Sequence, residues 1–564
     1  MTTNLFDYFE DLPRPEGGHS PWTARAPRRP DPRCDLKLVS RAPHWREDAE
    51  SVKGLERIEA EPWVASVARE GKSVELRLDD GWIETAGAAL EAGGGAEATL
   101  ADLARGQRFS VQFWDANATK ALHVGHLRNL AIGNSIAAAL TQAGGQVERR
   151  SLISDAGRSM GEAMAGVMKS GRHAGSWPDG DEKSDHFVGL CYADYVAAGG
   201  SIGGPNDELL EDSLTRELRL RNDAADELLK RVLAGEREAL ELWFKTRAWV
   251  IAGQRKTLGR LGIAFDRVFF ESDFLAEVAQ LTESGLRDGR LQRREDGVVL
   301  YSTGLEDMEE FPLVRADGVP TQHMRALVYW LAAPELEGTT SMQVCGAEWV
   351  SHVTCRRQLM DELLPSMNGN SHPHSEVQMH PTHDIFHGMV ANQKRAVASS
   401  EEGALLIDDL TDWIDAHIDA EPRGLATRRA HPSPERLAAQ IALGYFLPYP
   451  VTPRIDFSLE KLLRESESLG WDLVRARAQH GNSASGSSGT PAEDPDYRFA
   501  VVQSEIYRRH LRLAVQRLDV APLALYLRHL ALWYLERERD DRVERVVHTL
   551  LDRSARGLGL EAGR

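Results

Sequence analysis

The 564 residues are 42% hydrophobic and 27% charged, ordinary values for a water-soluble globular protein. The net charge of −19 excludes a protein that coats nucleic acid over its whole surface, and four cysteines with no C-x-x-C pair (Cys34, Cys191, Cys345, Cys355) exclude a disulfide scaffold or a cysteine zinc site. No apolar run is long enough to span a membrane, and a start containing Asp7, Glu10 and Asp11 is unlike a signal peptide, so a cytoplasmic protein without membrane contact is expected.

The length suggests three or four domains. Residues 1–40, rich in Pro, Arg and Gly, read as a disordered arm. A small α/β unit occupies 41–105, with a strand over Ser73–Leu78. A strand-like run, Arg108 to Trp114, precedes Asn117-Ala118-Thr119-Lys120-Ala121-Leu122-His123-Val124-Gly125-His126-Leu127-Arg128-Asn129. Apolar residues then recur at helical spacing from Leu127 to Leu140, and a second strand runs from Val147 to Ile153. Strand, loop, helix and strand in this order predict a nucleotide-binding parallel sheet, with the loop beyond the carboxyl end of the first strand. Residues of about 160–265 read as a helical insertion. Alternating strands and helices resume at Gly297–Tyr301, Phe311–Arg315, Thr321–Trp330, Ser341–Cys345 and His352–Leu364, which extends a mainly parallel α/β domain over 106–400. A helical stem fills 401–478, a flexible Ser/Gly linker 479–496, and further helices 497–564. This last segment holds 13 Arg, no Lys and 9 acidic residues, a net of +4, so the other 496 residues carry −23.

Two imidazoles three residues apart at a helix start sit beside free backbone N–H groups and the positive end of the helix dipole, which suits phosphate. Gly125 between them leaves room for a flat base. The bland alternative is two surface histidines. A metal site from His372, His374, His380, His383 and His387 is disfavoured, because Pro373 and Pro381 break any helix that would align the rings.

The stretch Asn117 to Arg128 resembles the HIGH signature of class I aminoacyl-tRNA synthetases in the form used by arginyl-tRNA synthetases, roughly S-x-N-x-x-x-P-x-H-x-G-H-L-R. The following Ser154-Asp155-Ala156-Gly157-Arg158-Ser159-Met160-Gly161 is similar to the family's G-D-W-G-T-Q-F-G, and the likeness runs with gaps from about residue 55 to about 560. It implies a Rossmann-like parallel-sheet catalytic domain, a truncated N-terminal additional domain and a C-terminal α-helical anticodon-binding-like domain. It also implies ATP and Mg2+ (as the substrate complex), an amino acid and tRNA as ligands of a monomer, with tRNA met by 497–564. His123 and His126 would be catalytic, together with Lys394 and Arg395 in a departed version of the family's K-M-S-K-S loop. Gly125, Gly346, Glu348 and His352 would bind ATP.

For the amino-acid pocket the resemblance implies Gln112, Asn117, Asp155, Gln322 and Ala326. The family surrounds arginine's guanidinium with a glutamate, a tyrosine and an aspartate, which fall on Gln112, Gln322 and Ala326. Without those carboxylates arginine is expected to be a poor substrate. Three functions remain open at this point: a ligase charging tRNA with arginine or another amino acid, a tRNA-independent amide ligase with altered specificity (as in the cysteine ligase of mycothiol biosynthesis), and a non-catalytic regulatory paralogue.

Overall fold

The computed structural model describes residues 5–10, 22–40, 49–71, 73–92, 100–172, 182–200, 224–306, 308–333, 338–367, 382–391, 405–420, 422–464, 468–479, 490–537 and 540–560. Its strands are numbered β1 to β14 in chain order.

The first unit is a four-stranded antiparallel sheet in the order β1 (Trp22–Arg25), β2 (Leu36–Ser40), β4 (Ser73–Leu78), β3 (Val64–Glu70). Two of these strands lie within residues 1–40, where a disordered arm was expected. The Pro- and Arg-rich composition masked short stretches, Trp22-Thr23-Ala24-Arg25 and Leu36-Lys37-Leu38-Val39-Ser40, in which every second side chain is buried. Trp22, Leu36 and Leu38 join Val74 and Leu76 in the core. Each such side chain contributes about 1.5–3 kcal/mol by leaving water.

The central sheet has the order β12 (Thr382–His387), β11 (Thr339–Gly346), β5 (Arg108–Trp114), β6 (Gln146–Ile153), β7 (Arg267–Phe270), all parallel. Helices cover β5 on both sides, so Phe109, Val111, Phe113 and Trp114 are all buried rather than alternately so. The helix Val124–Gln142 crosses β5 closely at Gly133, where an added Cβ would lie 2.1 Å from Phe113 Cβ. The chain winds outward from β5 to β6 and β7, then returns to place β11 and β12 on the other side. Winding therefore reverses beside β5, which opens a crevice beyond the carboxyl ends of β5 and β11.

The helices Arg158–Lys169, Ser184–Tyr195, Ala224–Leu233 and Arg237–Leu261 follow β6. β8 (Gln292–Arg293), β9 (Val299–Ser302) and β10 (Glu310–Val314) form a separate antiparallel sheet within the mainly parallel α/β domain read from the alternation. Gly297, with φ 95°, makes the turn that the sequence Asp296-Gly297 signals. From Ile407 the described chain is helical except around β14 (Ile455–Asp456), which pairs in parallel with β13 (Val390–Ala391). The linker stretch Asn482–Gly489 lies outside the described residues.

The last helices close back on the first unit. Arg498, on the helix Pro495–Arg517, donates to both carboxylate oxygens of Asp35 (3.0 and 2.6 Å) and to Leu78 O (2.6 Å). Both side chains are buried. Tyr497 donates to Glu91 (3.1 Å), and Arg509 reaches Ala24 O (3.3 Å).

Candidate active site

A cleft of about 420 Å³ lies at the winding reversal. Gln112, Asn117, His123, Gly125, His126, Gln322, Ala326, Gly346, Glu348 and His352, ten residues singled out from the sequence, line it. They arrive from five elements: the end of β5, the signature loop and helix, the helix Gln322–Ala332, the end of β11 and the helix Val350–Met367.

The signature loop is held at both ends. Ser154 N–H donates to Ala116 O (3.0 Å) and Ala118 N–H to Ser154 O (2.9 Å), which extends the β5–β6 pairing past the strands. Gln254 donates to the carbonyls of Asn117 (3.1 Å) and Lys120 (2.8 Å). Leu405 O accepts from Val124 N–H (2.9 Å) and Leu122 O from Ile407 N–H (3.0 Å). Arg128 is fully buried and donates to the carbonyls of Gly388 (2.5 Å), Pro453 (2.8 Å), Pro450 (3.0 Å) and Val451 (3.0 Å). One guanidinium thus ties the signature helix to the turn after β12 and to the loop before β14.

His123 is the N-cap of the signature helix. Its Nδ1 accepts from Gly125 N–H (3.1 Å), while its own N–H donates to His126 Nδ1 (3.1 Å). The ring centroids are 3.9 Å apart. With both Nδ1 atoms acting as acceptors, each neutral ring carries its proton on Nε2. Burial holds both imidazoles neutral, His126 down to about 3 and His123 well below the usual range; Lys120 adds to this at both, and the His126 ring at His123. The site therefore offers two Nε2–H donors beside a helix N-terminus, a suitable receptor for phosphate oxygens.

Opposite, the Glu348 carboxylate folds over Gly346, in the space that a side chain at position 346 would fill. His352 stacks on His323 with centroids 4.6 Å apart, in an aromatic column with Phe311 and Trp349. Gln322 and Ala326 stand one turn apart on a helix fixed by a buried ion pair. Arg325 donates to Glu271 (2.6 Å), which also accepts from Ser154 (2.8 Å).

Asp155 is not brought to the cleft. Its carboxylate is fully buried and accepts from Arg247 (2.8 Å), Ser272 N–H (3.0 Å) and Ser272 Oγ (2.7 Å). Its place in the strand–loop–helix pattern was legible, but its partner Arg247 lies on a helix 92 residues away. Lys394 and Arg395 lie outside the described residues, as do His372, His374 and His380. His383 and His387 are four residues apart on the extended β12, ~13 Å, too far to share an ion.

The structure also brings to the cleft a carboxylate that was not expected there. Asp115 lines the cleft, with Gln343, Trp330, His323 and Arg356, none of which the sequence pattern singled out. The Asp115 carboxylate accepts from Gln112 Nε2 (2.9 Å) and, at longer range, from Gln343 Nε2 (3.4 Å). Packing deep in the cleft pushes its carboxyl up to about 6, against the pull of the two amides and of Arg356, although its outer face is open to the cleft. Gln343 Oε1 accepts from Arg356 (2.6 Å). The departure from Ser in the family pattern at position 115 was the available signal.

Away from the cleft, Asp185, His186 and Asp408 cluster with metal-like spacing, but Lys183 Nζ lies 2.9 and 2.7 Å from the two carboxylates and supplies the positive charge itself. Burial alone would raise Asp408, yet hydrogen bonds from His186, Lys183 and Thr257 hold it down to about 2.

A parallel sheet that reverses its winding at a strand followed by a His-x-Gly-His helix start has the fold of a class I aminoacyl-tRNA synthetase core. The family model for class I (R) tRNA synthetase catalytic domains matches residues 96–177, and the chain is similar to arginyl-tRNA synthetases in sequence and in fold. Among curated relatives, arginine--tRNA ligase of Borrelia turicatae is 28% identical over 268 residues, 46% of this chain and 43% of that protein. Its counterpart in Treponema denticola is 33% identical over 215 residues, 38% and 34% of the two chains. In sequence, the chain spans from about a third to about half the length of the curated relatives it matches. In fold, it is similar to Thermus thermophilus arginyl-tRNA synthetase, with a TM-score of 0.63 and 19% identity over 98% of this chain and 97% of that one. Plasmodium falciparum arginyl-tRNA synthetase gives a TM-score of 0.62 with 12% identity, over 98% and 96%.

Proposed function

We propose that this chain activates an amino acid with ATP and passes it to tRNA, as an arginine--tRNA ligase of the cytoplasm. The carboxylate oxygen of the amino acid attacks the α-phosphorus. The bond to the β-phosphate oxygen breaks, and pyrophosphate leaves with the electron pair. Mg2+ enters as part of the ATP substrate complex.

The observation that carries this reading is the pair of Nε2–H donors on His123 and His126, fixed as donors by the backbone bonds at both Nδ1 atoms. They would meet the α-phosphate as its charge spreads. Rigid donors aimed at developing charge need no reorganisation during the step. Gly125 would let adenine approach the helix start. Glu348 beside Gly346 offers acceptors for the ribose hydroxyls, and Asn117 would hold the α-amino end. Lys394 and Arg395 would serve the leaving pyrophosphate. The arginine-bearing helices of 497–564 would meet tRNA.

The test is ATP–pyrophosphate exchange over a panel of amino acids, with and without tRNA, followed by acid-gel detection of charged tRNA. Exchange with arginine and accumulation of one charged isoacceptor are expected. Absence of exchange with every amino acid in the presence of tRNA would overturn the proposal.

A further inference from the structure

Asp115 occupies its position because β5 is irregular. In a regular strand, residues an even number apart share a face, so 112 and 115 would point oppositely. The pairing of β5 with β6 shifts register between Gln112 and Trp114, and the extra residue reverses the alternation. Gln112 and Asp115 therefore face the same cleft and bond to each other.

That bond orients the amide. Nε2 of Gln112 is committed to a carboxylate oxygen, so Oε1 points away from it, and a flipped amide would set oxygen against oxygen. Gln112 is only 2% exposed, and Oε1 has no hydrogen-bond partner. A buried acceptor left unsatisfied costs about 1–3 kcal/mol, so the position calls for a donor. Asp115 adds further acceptor capacity. Its oxygens provide about four lone-pair directions, of which two amide hydrogens and the Leu152 backbone N–H take three, leaving one for a ligand. No cationic side chain among the described residues lies within 4 Å of it. The other carboxylates of the cleft are differently placed: Glu271 is neutralised by Arg325, and Glu348 is across the cleft on the β11 side. Arg356 is separated from Asp115 by Gln343, which bonds to both. Counting Asp115, Glu348 and Arg356, the formal charge lining the cleft is negative.

We propose that Asp115 is the specificity-determining residue of the cleft, its carboxylate receiving the cationic end of the amino-acid side chain, a guanidinium or an ammonium, with Gln112 Oε1 as the neighbouring acceptor. This rests on the activation reading above. It replaces the expectation that the pocket rejects arginine. The negative charge absent at positions 112 and 326 is supplied by Asp115, directly after β5, where the bulge turns it inward.

The test compares arginine with citrulline, which has the same length and a neutral urea in place of the guanidinium. Calorimetric titration of the full chain measures the affinity of each, without ATP. The wild type is expected to bind arginine ~30-fold more tightly than citrulline, as for a charge-assisted bond against a neutral one, and Asp115→Asn to bring the two within about threefold. Asp115→Glu should keep the preference for arginine, which a merely structural role for Asp115 would not predict. Should the Asn variant not fold, Asp115→Ser reads the same ratio. A wild type that binds citrulline as well as arginine, or an Asn variant that keeps the arginine preference, would overturn the assignment. Pyrophosphate exchange is read separately. Its absence beside an intact arginine preference defeats the activation reading and leaves Asp115 standing.

Discussion

His123 and His126 cap one another: the backbone N–H of the first donates to the ring of the second, and the ring of the first accepts from Gly125. Structure and chemistry use opposite nitrogens of the same rings. The Nδ1 atoms finish the helix, and the Nε2 atoms are left for the ligand.

Those two roles can be separated by substitution. Alanine at both positions should lower pyrophosphate exchange by on the order of 10³-fold, as for the loss of rigid charge-stabilising donors. His123→Asn should keep the helix cap, since asparagine is a preferred N-cap, while losing the Nε2–H. Its melting temperature should stay near the wild type while kcat falls. Wild-type kcat in the asparagine variant would show that the ring serves only the helix.

His431 provides a test of stability against pH. It is 3% exposed, accepts from Ser433 N–H (3.0 Å), and burial, with the charge of Arg477, holds it down to about 4. The unfolded chain takes up a proton near pH 6.5 that the folded chain refuses until about 4. This residue therefore contributes full stability above 6.5 and loses it progressively as pH falls towards 4, on the order of 3 kcal/mol in all. His431→Gln should flatten the slope of denaturation midpoint against pH over that interval, relative to the wild type. An unchanged slope would refute the assignment of a neutral buried ring.

Removing Arg498 should be costly. The Asp35 carboxylate it binds is buried, and breaking one side of such a pair costs about 3–5 kcal/mol. Arg498→Met should lower the denaturant midpoint, and Asp35→Asn in the same chain should recover part of the loss. A double variant no more stable than the single one would mean that Arg498 acts mainly through Asp80, Leu78 O and Ala492 O.

Binding of tRNA should be weak and only moderately salt-dependent for this family. The chain outside 497–564 carries −23, and Arg509 is turned towards Ala24 O rather than outward. Arg517, at the exposed end of its helix, is free of that constraint. Each phosphate contact contributes roughly 0.7–0.9 to the log–log salt slope. Arg517→Ala should reduce the slope by about one such step in filter binding, and an unaltered slope would remove it from the tRNA face.

What could be read in advance follows the range of the interactions. The β5–loop–helix–β6 unit was legible because its periodicities switch within forty residues and the histidine spacing is local. The ends were less so. β1 and β2 are only four and five residues long, and they are strands because β4 lies beside β2 and β2 beside β1. Asp115 was hidden for another reason: side-chain direction in a strand is inferred by alternation, and the bulge at Phe113 breaks it. Asp155 shows the converse, a polar residue in the right motif whose carboxylate is taken up by distant partners, Arg247 and Ser272.

The Arg498–Asp35 clamp joins residues 463 positions apart. During synthesis the first sheet leaves the ribosome long before its guanidinium partner exists. Until then Asp35 stays hydrated or is buried without a counter-charge, which leaves the early unit marginal. Completion of the N-terminal sheet is thereby tied to the arrival of the final helices. A chain cut short before the helix Pro495–Arg517 carries the entire cleft, yet it lacks the partner that closes its first domain, which makes truncated products candidates for clearance rather than for partial function.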